Sequence, residues 1–164
     1  MPSTVFQAPW GRQLKWISAL SAALLLAIPA FLMVEAPDTP SLLHRIAVAL
    51  PPAILVLGAL FAIRGYAIQN NTLTILRPGW KTRIPLQGLV ETRVDPQAMK
   101  GATRLFGNNG LFGYIGLFQS DRLGRFRAFA TDPDKAVVLR FTGRTLVITP
   151  DKPERLVEIL RQQL

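Results

Sequence analysis

Apolar positions follow three rhythms along this chain. Trp16–Val34 and Ile46–Ile63 are almost wholly apolar and contain no charged residue. Their 19 and 18 residues approach the roughly 20 that cross a bilayer as a helix. Only 11 residues, Glu35–Arg45, separate them, which predicts a membrane hairpin. Pro51-Pro52 in the second run predicts a kink or a displaced start. From Tyr66 onward the rhythm shortens to Tyr66–Gln69, Thr72–Arg77, Trp80–Leu86, Leu89–Val94, Arg125–Thr131, Ala136–Phe141 and Thr145–Thr149. These stretches have strand character, and Asn70-Asn71, Pro78-Gly79 and Thr142-Gly143-Arg144 punctuate them as turns. About seven strands are therefore expected, in a small antiparallel sandwich or barrel. The alternation in Leu89–Val94 places Val90, Thr92 and Val94 on one face.

The third rhythm is helical. Leu156, Val157, Leu160 and Leu164 repeat at helix spacing, and Asp151-Lys-Pro-Glu154 before them has the capping-box pattern. A terminal amphipathic helix of about 12 residues is expected, marginal unless it packs on something apolar. The chain thus divides into a membrane-anchoring hairpin over 1–64 (spans about 16–34 and 46–63) and a separate module over 65–164.

Charge adds a direction and a partner class. The net charge is +9. Residues 65–164 hold 15 Lys and Arg against 8 Asp and Glu, so the module carries +7 of it. Such an excess favours an acidic neighbour, and for a tethered module anionic lipid headgroups are the nearest one. Arg12 and Lys15 precede the first span and Arg64 follows the second, whereas the connecting loop has two acids and one Arg. The positive-inside rule then puts both termini and the module in the cytoplasm. The first apolar run exceeds the 7–15 residues of a signal h-region, and Pro37 directly after Ala36 is a poor cleavage context, so a retained helix is expected. Trp10 and Trp16 fit interfacial anchors.

Chemistry is sparse. There is no cysteine, and the single histidine, His44, sits between the spans. No Ser-His-Asp or Cys-His arrangement can form inside the module, and Asp132 and Asp134 around Pro133 read as a turn. A noncatalytic protein without cofactor or metal is expected. Two basic groups stand out instead. Lys81 and Arg83 share a strand face beside Trp80. Arg125, Arg127 and Phe129 share another, near Arg122. Both could meet headgroups or a partner protein, while nucleic acid is disfavoured because no nucleic-acid motif accompanies them. Glycines at 107, 110, 113 and 116 match neither a phosphate loop nor a dinucleotide fingerprint, because aromatic and aliphatic residues fill the gaps. Two readings of this loop stay open. Phe112, Tyr114, Ile115 and Phe118 either pack on the module or face the membrane or a partner.

The run Gly107-Asn-Asn-Gly110-Leu-Phe-Gly113-Tyr-Ile-Gly116-Leu-Phe118, with Leu123–Asp132 and Ala136–Pro153 after it, resembles the bacterial pleckstrin-homology (PH) domain family. The resemblance spans about residues 65–164. It implies a mainly β, seven-stranded PH-like barrel with a C-terminal capping helix and no transferable enzymatic activity. Members of this kind commonly carry N-terminal membrane spans. The combined expectation is a membrane-tethered binding or scaffolding module contacting acidic lipid headgroups or a partner protein. The alternative is a small structural subunit of a larger assembly or homo-oligomer.

Overall fold

The chain, seen here as a computed structural model, is described over residues 4–162; Leu164 of the helical repeat lies outside them. A short strand β1 (Thr4–Gln7) precedes the helices α1 (Arg12–Val34) and α2 (Leu42–Phe61). Both helices are long and apolar enough to cross a membrane. At 1.5 Å per residue they measure about 34 and about 30 Å. They pack on each other and leave most of their apolar side chains uncovered, with Leu20 73% and Val34 83% exposed. Ser41 caps α2 by accepting from the His44 amide at 3.3 Å. That helix runs through Pro51 and Pro52 without a displaced start.

Four strands follow, β2 (Gly65–Gln69), β3 (Thr72–Leu76), β4 (Lys81–Pro85) and β5 (Leu89–Val94). Next come β6 (Thr103–Asn109), β7 (Tyr114–Ser120), β8 (Gly124–Ala130), β9 (Val137–Phe141) and β10 (Thr145–Ile148). Helix α3 (Pro153–Arg161) closes the described chain. The strands form two sheets ordered β1-β2-β3-β4 and β5-β9-β10-β8-β7-β6. Strand β10 enters between β9 and β8, antiparallel to the first and parallel to the second. The expected seven-stranded antiparallel barrel is corrected accordingly: ten strands occur among the described residues, one neighbouring pair is parallel, and the barrel is not closed.

Three strands were absent from the sequence expectation. β1, from the stretch ahead of the first apolar run, pairs antiparallel with β2. The hairpin β6–β7 occupies the glycine-rich segment that read as a loop. There Gly107 and Gly116 face each other across the ladder, each with positive φ (109° and 144°). A Cβ on Gly107 would stand 2.2 Å from the Ile115 carbonyl oxygen, and one on Gly116 2.1 Å from that of Phe106. The strands meet closely only because neither residue has a side chain.

The six-stranded sheet is apolar on both faces. Val137, Leu139, Leu146 and Ile148 face the first sheet and α3, in one core with Tyr66, Leu73, Ile75 and Leu156. Val138, Val147, Phe118 and Phe126 face the other way, in a second core with Leu14 of α1. Burial on both sides explains why β9 and β10 read as unbroken apolar runs rather than alternating ones. In β5 the predicted face is corrected: a bulge between Leu89 and Glu91 leaves Val90 63% exposed while Thr92 is buried. The capping box is corrected too. Asp151 gives no side-chain cap to α3 but accepts from the Gln7 amide at 3.1 Å, tying β1 to the start of that helix. Pro153 opens the helix, where its missing donor costs nothing.

The hairpin and the sheets are joined at several points. The Gly11 amide donates to the Thr131 carbonyl at 3.1 Å, and the Thr131 hydroxyl donates to Pro9 at 2.8 Å. Ser18, buried on α1, donates to the Gly110 carbonyl (3.1 Å) and accepts from the Phe112 amide (3.0 Å). The β6–β7 tip is thereby latched onto the helix. Ser18→Ala leaves two backbone groups without that partner and should loosen the latch by about 1–3 kcal/mol. Hydrogen exchange of the full chain in nanodiscs should then show faster exchange at Leu111–Gly113, and unchanged rates would refute the latch.

Candidate functional site

Because the barrel does not close, the free edge of β4 stands over the face of β7, β8 and β10 without pairing to them. A cleft of about 450 Å3 runs between them. Its walls carry Arg83 from β4, Arg125 and Arg127 from β8, and Arg144 from the β9–β10 turn. All four are exposed. Three follow from local geometry: Arg83 alternates outward from buried Ile84, and Arg125 and Arg127 alternate with buried Phe126 and Ala128. The Arg127 guanidinium lies over the Phe129 ring at 5.3 Å, and that of Arg144 over Phe141 at 4.9 Å. Such stacking holds the planar groups while leaving their donors open.

No carboxylate lines this cleft. Among the described residues the ion pairs use other arginines: Arg93 with Glu91 and Asp95, Arg122 with Asp95, and Arg140 with Glu91. Arg122, the first member of the basic run, is thus neutralised by a carboxylate, whereas Arg125 and Arg127 are not. Four unpaired guanidiniums on one concavity make a field suited to phosphate or carboxylate oxygens. Among the described residues no three His, Cys, Asp or Glu side chains gather as a metal site.

Of the residues expected from sequence, Arg83, Arg125 and Arg127 meet in this cleft. Lys81 is exposed at the start of β4 and lies outside its lining. The apolar group separates. Tyr114 and Phe118 belong to β7 and are buried at 6% and 1% exposure, and Ile115 packs beside the other core. Of the two readings left open for this segment, Tyr114 and Phe118 follow core packing, because β7 lies between β6 and β8, while Ile115 is only partly buried. Phe112 alone remains at the tip, with φ 61°, its ring 5.8 Å from that of Trp10. Sequence reasoning missed Arg144, which read only as a turn residue, and passed over Arg77, which opens the basic turn ahead of Lys81 and Arg83 but was not among the expected site residues.

Arg77 sits next to the cleft in an unusual setting. Its guanidinium lies 5.5 Å from the Phe129 ring, 5.5 Å from Trp80 and 6.0 Å from Phe61 of α2. Burial and then the nearby Arg127 charge lower its pKa from the ordinary arginine value. A positive charge is therefore held partly out of water beside another of the same sign.

No curated protein and no solved structure matches the chain. Residues 64–164, well over half its length, match the family described as the bacterial PH domain. That span begins just before β2 and covers the strands forming the arginine cleft, so the protein belongs to the bacterial PH domain family.

Proposed function

We propose that this is a noncatalytic membrane-anchored module whose arginine cleft engages acidic lipid headgroups at the cytoplasmic face of a bacterial inner membrane. The observation that carries the reading is the convergence of Arg83, Arg125, Arg127 and Arg144 on one cleft free of carboxylates. The anchor supports it. Both helix ends that join the sheets are flanked by Arg12, Lys15 and Arg64, and the positive-inside rule keeps such an end cytoplasmic. Removal of α1 as a signal peptide would strip strand β1 from its sheet and Leu14 from a core. Both contacts support a retained two-span hairpin.

The chain has no cysteine, so Thr82→Cys in the cleft wall accepts a single environment-sensitive fluorophore. In nanodiscs, full-length protein so labelled should shift its emission as phosphatidylglycerol replaces phosphatidylcholine, and salt should reverse the shift. Replacing Arg83, Arg125 and Arg144 together by Gln should weaken the response by about 3 kcal/mol, at about 1 kcal/mol per basic residue. Equal emission in neutral and acidic bilayers would overturn the reading.

A further inference from the structure

The first sheet covers only part of the six-stranded one. Beyond the arginine cleft, the face of β6, β7 and β8 turns toward the end of α2 across a cavity of about 620 Å3. Phe61, Phe106, Ile115, Leu117 and Phe129 give it mostly apolar walls, and its two charges are Arg77 and Arg127. Among the described residues neither arginine has a carboxylate within ion-pair distance. The Arg77 Nε is buried without a hydrogen-bond partner. Holding like charges together in an apolar hollow is unfavourable unless an anion joins them. The hollow also opens beside a helix whose uncovered side chains, Leu57 and Leu60 among them, continue its apolar surface into the bilayer. An occupant must therefore be anionic at one end and apolar at the other.

We propose that this cavity holds a single acidic phospholipid drawn from the adjacent leaflet, its phosphate between Arg77 and Arg127 and its glycerol and upper acyl chains against Phe61, Phe106 and Ile115. The volume is within the range of small-molecule sites and suits a headgroup with the first part of its chains. The remaining chain length lies along α2. Arginine suits the task because its fork can bind two phosphate oxygens at once. The inference rests on the reading of the module as facing acidic lipid. It differs in stoichiometry: one retained molecule per chain, set apart from diffuse enrichment around the cleft.

Native mass spectrometry of the full chain released from mixed phosphatidylglycerol and phosphatidylcholine nanodiscs tests it. One phosphatidylglycerol should remain bound per chain, and Arg77→Gln should reduce its occupancy at least tenfold. Phe106→Asp, at a side chain 79% exposed and so outside both packed cores, should do the same by setting a carboxylate in the cavity. Arg155→Gln, exposed on α3 and outside the linings of both the cavity and the cleft, should leave it unchanged. Millimolar glycerol 3-phosphate should not displace the lipid; displacement would identify a soluble phosphate-ester site and overturn the lipid assignment. No retained lipid, or equal retention of neutral lipid, would also overturn it. If the fluorophore in the cleft still responds to acidic bilayers in that case, the surface reading stands and only the cavity inference falls.

Discussion

Gly116→Ala should be among the most damaging single-methyl changes in this protein, lowering stability by about 3 kcal/mol or releasing β6 from the sheet. Two costs add. The backbone at φ 144° lies where side chains are strained by about 1–3 kcal/mol. The new Cβ would also meet the Phe106 carbonyl oxygen at 2.1 Å and the Gly107 Cα at 2.8 Å. Both obstacles are backbone, so no rotamer can relieve them. Strand β6 is the sheet edge and its side chains are mostly exposed. Relief should therefore come from β6 leaving β7 rather than from global unfolding. Hydrogen exchange of the full chain in nanodiscs should show protection lost across Thr103–Asn109, with the Tm reduced. Gly143→Ala is the matched control, since nothing lies within 4 Å of its Cβ position, and it should stay within about 0.5 kcal/mol. Unchanged exchange in Gly116→Ala would contradict the close pairing. Because Phe106 and Gly107 line the lipid cavity, the same variant should also lose retained phospholipid.

That glycine pair also marks where the sequence stops being legible. Strands β2 to β5 and β8 to β10 could be read because β-branched and aromatic residues sit between turn dipeptides. In β6 and β7 the determining contact is backbone against backbone. Glycine at 107 and 116 lowers strand propensity while permitting this pairing, so the segment read as a loop. β1 was hidden for another reason: four residues carry little periodicity, and their partners in β2 lie about 60 positions away across the whole hairpin. Asp151 had the right spacing for a helix cap, yet the Gln7 amide of that distant strand claimed its oxygen. The site divides along the same line. Arg125 and Arg127 were visible as an alternating basic face and Arg83 as a strand cation. Arg77 and Arg144 lie in turns, where a charge is ordinarily solvated. Only the tertiary approach of the open edge of β4 and the end of α2 to β8 puts Arg144 on the cleft and Arg77 on the neighbouring cavity.

Tyr66→Phe should cost about 1–3 kcal/mol at neutral pH, and that cost should shrink in alkali. Tyr66 of β2 is fully buried. Its hydroxyl donates to the Phe129 carbonyl of β8 at 2.6 Å and accepts from the Thr149 amide at 3.2 Å. The Thr149 hydroxyl in turn accepts from the Thr131 amide at 2.8 Å. One phenol therefore links the first sheet to two strands of the second, and removing its oxygen leaves buried backbone groups unmatched. Burial, only partly offset by the Thr149 hydrogen bonds and the Arg77 charge, pushes its pKa up to about 12. An unfolded chain loses that proton near pH 10. Between pH 10 and 12 the unfolded state therefore binds fewer protons than the folded one, so stability falls as pH rises through the window. Over two units the loss specific to Tyr66 should be roughly 2 kcal/mol. Every other titratable group is the same in the variant, so subtracting the two stability curves isolates Tyr66. Denaturation of both full-length proteins in detergent from pH 7 to 12 should show the curves converging above pH 10. A constant gap would mean that the phenol ionises equally in both states, and the buried link between the sheets would have to be abandoned.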